Sequence, residues 1–235
     1  MKDGERATFG KIDVSRVKGL LFDVDGTLSD TDDVMVEKVR SFLEPAAWLF
    51  KAKDPTSFSR WLVMAGESPM NFFYGLADRL GVDDLLMRGY EHLLHIKNKT
   101  EEDQERFLMI SGVREMLARL AETFPLGVVS ARDEKSTYHF LDCFELRPFF
   151  KVIVTSQTCG HTKPYPEPVI YAAGELGLAP EACVMIGDTI VDIRAGKSAG
   201  AQTVAVLCGF GTQRELERVG ADLILENTSD LVNLL

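Results

Sequence analysis

Two carboxylates stand one residue apart at the end of an apolar run, in Leu20-Leu21-Phe22-Asp23-Val24-Asp25-Gly26-Thr27-Leu28. Residues two apart in an extended chain point to the same side, so Asp23 and Asp25 are expected to project together from the end of a buried strand. Two anions held that close repel each other. The repulsion is relieved if one carboxylate takes a proton or if a cation lies between the two. The pattern therefore favours a chemical site over a polar turn that merely caps a strand.

The elements that must position these carboxylates follow an alternating order. Apolar, β-branched runs predict buried strands over residues 17–22, 126–129, 150–155, 183–186 and 202–207, with 221–225 as a sixth candidate. Helical spacing predicts helices over residues 112–124, 136–144, 166–176 and 190–199. Strands that alternate with helices indicate an α/β fold, a Rossmann-like, doubly wound parallel sheet covered on both faces.

Residues 33–105 interrupt this alternation. They contain no convincing strand and show amphipathic helical spacing, as in Phe72-Phe73-Leu76-Ala77-Leu80. We therefore predict two domains, an α/β core formed by residues 1–32 and 106–235 and an all-helical domain inserted at 33–105.

Further chemical groups follow the other predicted strands. Ser130 follows the second strand, Lys163 lies in the loop after the third, and Asp188 and Asp192 follow the fourth. Each has a simpler explanation, since Ser130, Asp188 and Asp192 could cap helices and Lys163 could face solvent. Ligands bind outside the carboxyl ends of strands in open parallel sheets, so the four together favour a binding site at this edge.

These segments resemble the four motifs of the haloacid dehalogenase (HAD) superfamily. The first motif is similar to residues 23–28, the second to Ser130, the third to Lys163-Pro164-Tyr165-Pro166, and the fourth to residues 187–192. The overall similarity is to the phosphoglycolate-phosphatase-like branch, and residues 33–105 lie where that family has a helical cap. The resemblance implies a phosphatase that depends on Mg2+ and works through an aspartyl-phosphate.

The resemblance also implies roles for single residues. Asp23 would be the nucleophile, Asp25 the general acid and then the general base, and Lys163 would neutralise the nucleophile and a phosphate oxygen. Asp23 and Asp188 offer the hard oxygen ligands that Mg2+ prefers, and the backbone carbonyl of Asp25 would be a third ligand. Asp192 would support the metal site without binding the ion directly.

Phosphate oxygens would be held by Ser130, Lys163, Thr27 and the backbone N–H of Ala131. Many relatives carry Asn where this chain has Ala131, and the next residue is Arg132. Arg132 either supplies a cation near the phosphate or faces solvent, and the sequence favours solvent.

The reaction type remains open between three alternatives. Dehalogenases of the superfamily lack an acid two residues after the nucleophile, so Asp25 favours phosphoryl transfer. Sugar-phosphate mutases such as β-phosphoglucomutase carry a His shortly after the first motif, and residues 30–37 contain none. A phosphatase is therefore favoured over a phosphomutase, and over a protein that binds phosphate or a partner without catalysis.

Composition narrows the class of partner and the compartment. The 235 residues carry a net charge of −10, which argues against nucleic acid or an anionic membrane as partners. No apolar run approaches the ~20 residues that span a bilayer, and the polar N-terminus does not resemble a secretory signal. The four cysteines lack CxxC spacing, which suits the cytoplasm. We expect a small phosphorylated metabolite as substrate and a monomer or homodimer.

Overall fold

The computed structural model describes residues 9–30 and 107–235 of the chain. They belong to one unit, formed by Met1–Thr31 together with Phe107–Leu235. The helical domain predicted for residues 33–105 lies outside the described residues, so that domain and its boundaries stay predictions.

One seven-stranded sheet runs through the described part of the chain, in the order β1-β7-β6-β5-β2-β3-β4. Strands β2 to β7 are parallel, and β1 pairs antiparallel with β7. The prediction of a doubly wound parallel sheet is confirmed, including its sixth candidate strand. The strands are β1 (Phe9–Gly10), β2 (Gly19–Phe22), β3 (Leu126–Val129), β4 (Phe150–Val154), β5 (Cys183–Gly187), β6 (Gln202–Val206) and β7 (Leu223–Leu225).

The short edge strand β1 is absent from the predicted elements. It consists of two residues, with Phe9 opposite Ile224 and Gly10 opposite Leu223. Gly10 has a φ of +92°, and a Cβ at this position would lie 2.1 Å from the carbonyl oxygen of Asp222. A strand of two residues has no periodicity that a sequence pattern can detect, so β1 is recognised only from its pairing with β7.

Five α-helices accompany the strands in the described residues. The four predicted helices are present, α4 with the predicted bounds and the other three with ends shifted by one to four residues, and α5 was not predicted. Leu216 is the one buried residue of α5, so this charged helix lacks the apolar stripe on which the prediction depended. The helices are α1 (Val113–Leu120), α2 (Glu134–Cys143), α3 (Glu167–Glu175), α4 (Ile190–Ala199) and α5 (Gln213–Val219).

The helices cover both faces of the sheet. Alternation along β2 sends Leu20 and Phe22 into one apolar cluster, which includes α1 and α2, and sends Leu21 into another, which includes α3. Because β2 is buried on both faces, the carboxyl end of this strand is held from either side. No helix within residues 9–30 and 107–235 is both long enough and apolar enough to cross a membrane.

Candidate active site

The predicted chemical groups meet at the carboxyl edge of the sheet. Strand β2 pairs with β5 on one side and with β3 on the other, and these strands are followed directly by Asp23, Asp188 and Ser130. The amide of Asp23 continues the ladder by donating to Ile186 O at 2.9 Å. The amide of Ser130 similarly donates to Val154 O at 2.9 Å. The sheet therefore delivers two carboxylates and a hydroxyl to one edge.

Lys163 lies between two carboxylates at the centre of the site. Its Nζ is 2.7 Å from Asp23 Oδ1 and 2.6 Å from Asp192 Oδ1. The Lys163 side chain is 2% exposed, and that of Asp192 is fully buried. An ammonium so deeply buried is stable only beside anions, so the pairing explains why the loop after β4 places a lysine here.

Burial and mutual proximity change the titration of both partners. Burial raises the pKa of Asp23 to about 7, opposed by the Lys163 ammonium and assisted by the Asp192 and Asp25 carboxylates. Burial alone would lower the pKa of Lys163, but the carboxylates of Asp192 and Asp23 outweigh that effect and raise it. Lys163 therefore stays charged, while the ionisation of Asp23 is sensitive to a nearby cation.

Asp192 has two functions in the folded chain. Its Oδ2 accepts hydrogen bonds from the backbone N–H and the hydroxyl of Thr189, which caps the N-terminus of α4. Its Oδ1 accepts from Lys163. The helix-capping explanation considered for Asp192 is thus correct, and the same carboxylate also fixes the central lysine.

The Asp188 carboxylate is enclosed by backbone. Its Oδ2 accepts from Phe210 N at 2.8 Å, and a Cβ at Gly26 or at Gly209 would lie 2.2 Å from that oxygen. Gly26 also has a φ of +68°, a conformation that side chains disfavour. The glycine loop after β6 was not predicted from the sequence, although a Gly-x-Gly pair that begins two residues beyond the predicted strand is a detectable signal.

Three carboxylates are close enough to share one cation. Oxygens of Asp23, Asp188 and Asp192 all lie within 4.8 Å of one another, and all three residues are buried. Carboxylate oxygens are the donors that Mg2+ and Ca2+ prefer, and the set lacks the thiolates and imidazoles that favour softer metals. The donor chemistry of this cluster therefore fits the Mg2+ expected from the sequence.

Asp25, whose side chain is 31% exposed, is paired with Arg132. Arg132 Nε donates to Asp25 Oδ2 at 2.7 Å, and Nη2 donates to Oδ1 at 2.5 Å. The Arg132 side chain is 13% exposed. The expectation that Arg132 faces solvent was therefore wrong, because the loop after β3 turns its side chain back toward the first motif.

The remaining predicted phosphate contacts occupy different environments. Ser130 is buried, and its Oγ accepts from the amide of Arg132 at 3.1 Å, while Ala131 is exposed. The Thr27 hydroxyl is fully buried, 3.5 Å from Asp188 Oδ1, and the Thr27 carbonyl accepts from Thr228 Oγ1 at 2.6 Å. The geometry places Thr27 in support of Asp188, and its contact with phosphate stays a prediction.

A family model described as haloacid dehalogenase-like hydrolase matches residues 20–206. This span includes all the site residues predicted from the sequence, from Asp23 to Asp192. The chain belongs to the haloacid dehalogenase-like hydrolase family, as the four motifs at the strand ends indicate.

Individual relatives cover nearly the whole chain. Pyrophosphatase PpaX from Anoxybacillus flavithermus is 30% identical over 222 residues, which cover 93% of this chain and 97% of that protein. A phosphoglycolate phosphatase from Nitrosococcus oceani is 26% identical and covers 92% of this chain and 95% of its own length. The crystal structure of a putative β-phosphoglucomutase from Thermotoga maritima aligns with a TM-score of 0.63 at 20% identity. The alignment covers 93% of this chain and 98% of that chain. That structural likeness shows a shared fold.

Proposed function

We propose that the chain is a Mg2+-dependent phosphatase that hydrolyses a small phosphomonoester through an aspartyl-phosphate on Asp23. The observation that carries the proposal is the buried Lys163, held by Asp23 and Asp192 beside the Asp188 carboxylate. Relatives named pyrophosphatase and phosphoglycolate phosphatase support phosphate hydrolysis as the reaction class.

The charges of the site suit a divalent cation. When all side chains of the site are ionised, four carboxylates outnumber two cations, which leaves two negative charges. The residues are Asp23, Asp25, Asp188, Asp192, Lys163 and Arg132. Three donors, Lys163 Nζ and the amide and hydroxyl of Thr189, hold the two oxygens of Asp192 at 3.0 Å or less, which supports a place beside the ion and not on it. Asp23 and Asp188 are the carboxylates assigned to direct contact with Mg2+. The backbone carbonyl of Asp25 is the third proposed ligand. When bound, Mg2+ would favour ionised Asp23 and offset its repulsion of the phosphate.

Asp23 performs the nucleophilic step in this proposal. Its Oδ attacks phosphorus, the bond from phosphorus to the leaving oxygen breaks, and the departing oxygen takes a proton from Asp25. Asp25 then removes a proton from the water that hydrolyses the aspartyl-phosphate. Each carboxylate therefore has one role in each half of the reaction.

The phosphate oxygens are assigned to donors around this pair. Lys163 supplies the central positive charge from a fixed position. The Ser130 hydroxyl accepts from Arg132 N, so its own hydrogen is not used in that contact, and we assign this hydrogen to a substrate oxygen. The backbone N–H of Ala131 is the third proposed donor, and Thr27 stays a fourth candidate.

The proposal is tested by measuring release of inorganic phosphate from a panel of phosphate esters and pyrophosphate. We expect wild-type activity with Mg2+, none with EDTA, and a loss of about 10⁴-fold or more in Asp23→Asn. Asp142→Asn is the matched control, because this exposed carboxylate belongs to α2 and contacts Arg147 at 3.4 Å. Conversion of a sugar phosphate into its isomer without phosphate release would replace the phosphatase by a mutase, and folded protein that binds Mg2+ without any turnover would favour a binding role.

A further inference from the structure

The guanidinium of Arg132 is constrained on three sides. Two of its nitrogens contact the two oxygens of Asp25, as described above. Its Cζ lies 5.2 Å from the ring centroid of Phe107 and 5.8 Å from that of Phe140. A planar guanidinium held between rings and a carboxylate has little freedom to rotate, so its two donors also fix the plane of the carboxylate.

The rest of the fold holds Arg132 in place. Its backbone follows β3, where the amide donates to Ser130 Oγ at 3.1 Å. Phe140 is fully buried in α2 and belongs to the apolar cluster beneath the sheet. The position of the Asp25 carboxylate is thereby linked to β3 and α2, two elements outside its own loop.

We propose that Arg132 is a positioning residue that directs the Asp25 carboxylate at the leaving-group oxygen. This inference rests on the proposed function, in which Asp25 protonates that oxygen. A carboxylate offers about four lone-pair sites, and the two hydrogen bonds from Arg132 use one on each oxygen. Asp25 can therefore be held by Arg132 and still carry the proton that it transfers.

This role affects one chemical step selectively. When the bond from phosphorus to the leaving oxygen breaks, the electron pair stays on oxygen, and an alkoxide needs a proton to leave. A 4-nitrophenolate is a weak base and leaves without one. Misalignment of Asp25 should therefore impair hydrolysis of alkyl phosphates and spare hydrolysis of 4-nitrophenyl phosphate.

The test compares kcat/KM for 4-nitrophenyl phosphate with that for the alkyl phosphate that the wild-type protein hydrolyses fastest. The ratio kcat/KM compares the transition state with free enzyme and free substrate. It covers the steps up to departure of the leaving group, so the later hydrolysis of the aspartyl-phosphate does not affect it. In Arg132→Gln we expect a loss of about 10²-fold for the alkyl ester, with only a few-fold loss for the aryl ester. Asp25→Asn should show the same selectivity, and the double variant should lose no more on the alkyl ester than Asp25→Asn alone.

Two further variants separate positioning from charge and from folding. Arg132→Lys keeps the positive charge but cannot form the two-pronged contact, so we expect the same selective loss. Arg147→Gln is the matched control, since Arg147 also pairs with an aspartate and lies over a ring, with Cζ 4.6 Å from the Tyr138 centroid. We expect wild-type kcat/KM for both esters in this variant.

Several results would overturn the inference. These are an equal loss on both esters, full recovery by Arg132→Lys, or losses that multiply in the double variant. If the wild-type protein hydrolyses no ester, the proposed function and this inference both fail. If the wild-type protein hydrolyses esters and Arg132→Gln loses activity equally on the alkyl and aryl esters, the proposed function stands and only the role of Arg132 is wrong.

Discussion

At the scale of single residues, two glycines determine the position that the Asp188 carboxylate can occupy. Gly26 and Gly209 approach Asp188 Oδ2 from two loops, and Phe210 N donates to the same oxygen. The fixed carboxylate then faces Asp23 across adjacent strands. Small residues at these positions therefore belong to the proposed metal site as much as the acids do.

Replacing Gly26 by alanine should weaken Mg2+ binding. The new Cβ would lie 2.2 Å from Asp188 Oδ2 in a residue with φ of +68°, so the loop or the carboxylate must move. We expect Mg2+ affinity, measured by calorimetry, to fall about 10- to 100-fold, as found for groups that orient metal ligands.

The control for this prediction is Gly174→Ala. Gly174 lies in α3, and a Cβ there meets nothing within 4 Å. We expect unchanged Mg2+ affinity and a free energy of unfolding higher by up to about 1 kcal/mol, since alanine favours helix. Unchanged Mg2+ affinity in Gly26→Ala would show that the glycine is not required for the site.

At the scale of secondary-structure elements, Asp222 directly precedes β7 and connects this strand to β6 and α4. Its Oδ2 accepts from the amide and the hydroxyl of Thr203 in β6, both at 2.8 Å, and its Oδ1 accepts from Lys197 of α4 at 3.0 Å. Partial burial works to raise the pKa of Asp222, but the donors from Lys197 and Thr203 outweigh it and lower the pKa. Folding therefore favours the ionised carboxylate.

This lowered pKa predicts how acid affects stability. A carboxyl group with a pKa lower in the folded than in the unfolded chain stabilises at pH above the unfolded value of about 3.9, and that contribution is lost as pH falls through the folded pKa. Urea unfolding from about pH 7 to about pH 3 should show Asp222→Asn less stable than wild type at neutral pH. The difference should shrink as the solution becomes acidic.

Asp142→Asn again serves as the matched control, because it changes net charge equally. Asp142 and Arg147 are 53% and 55% exposed, and such surface pairs contribute little to the free energy of unfolding. We expect this variant to match wild type near neutral pH. A difference between wild type and Asp222→Asn that does not change with pH would contradict the assignment to the carboxylate.

At the scale of the whole molecule, a net charge of −10 surrounds a site proposed to receive an anion. Long-range electrostatics therefore oppose substrate approach, and attraction must come from groups near the phosphate. In the described residues, Lys163 and Arg132 are both paired with carboxylates. A bound divalent cation would supply the additional positive charge.

Binding of Mg2+ to the folded chain should raise its stability by mass action. At a free concentration 100 times the dissociation constant, the free energy of unfolding should increase by about 2.7 kcal/mol. Thermal or urea unfolding with Mg2+ and with EDTA measures this difference without any substrate. Asp188→Asn should remove the effect, while Asp142→Asn should retain it. Equal stabilisation of Asp188→Asn and wild type would place the ion elsewhere.

The amino-acid sequence determined the sheet and the order of the chemical groups along it. The strands β2, β3 and β5 are short apolar runs, which have few alternatives to burial, and Asp23, Ser130 and Asp188 follow them directly. Periodicity and position along the chain contain this information. The short strand β1 and the charged helix α5 lacked such a pattern and were not predicted.

Tertiary structure alone decided which groups contact one another. Lys163 bridges Asp23 and Asp192, Arg132 turns toward Asp25, and the loop after β6 encloses Asp188. Each contact joins segments that lie far apart in the chain and depends on loop paths and side-chain rotamers. A linear pattern of residue types does not encode these distances, because they arise only when the packed sheet brings the loops to one edge.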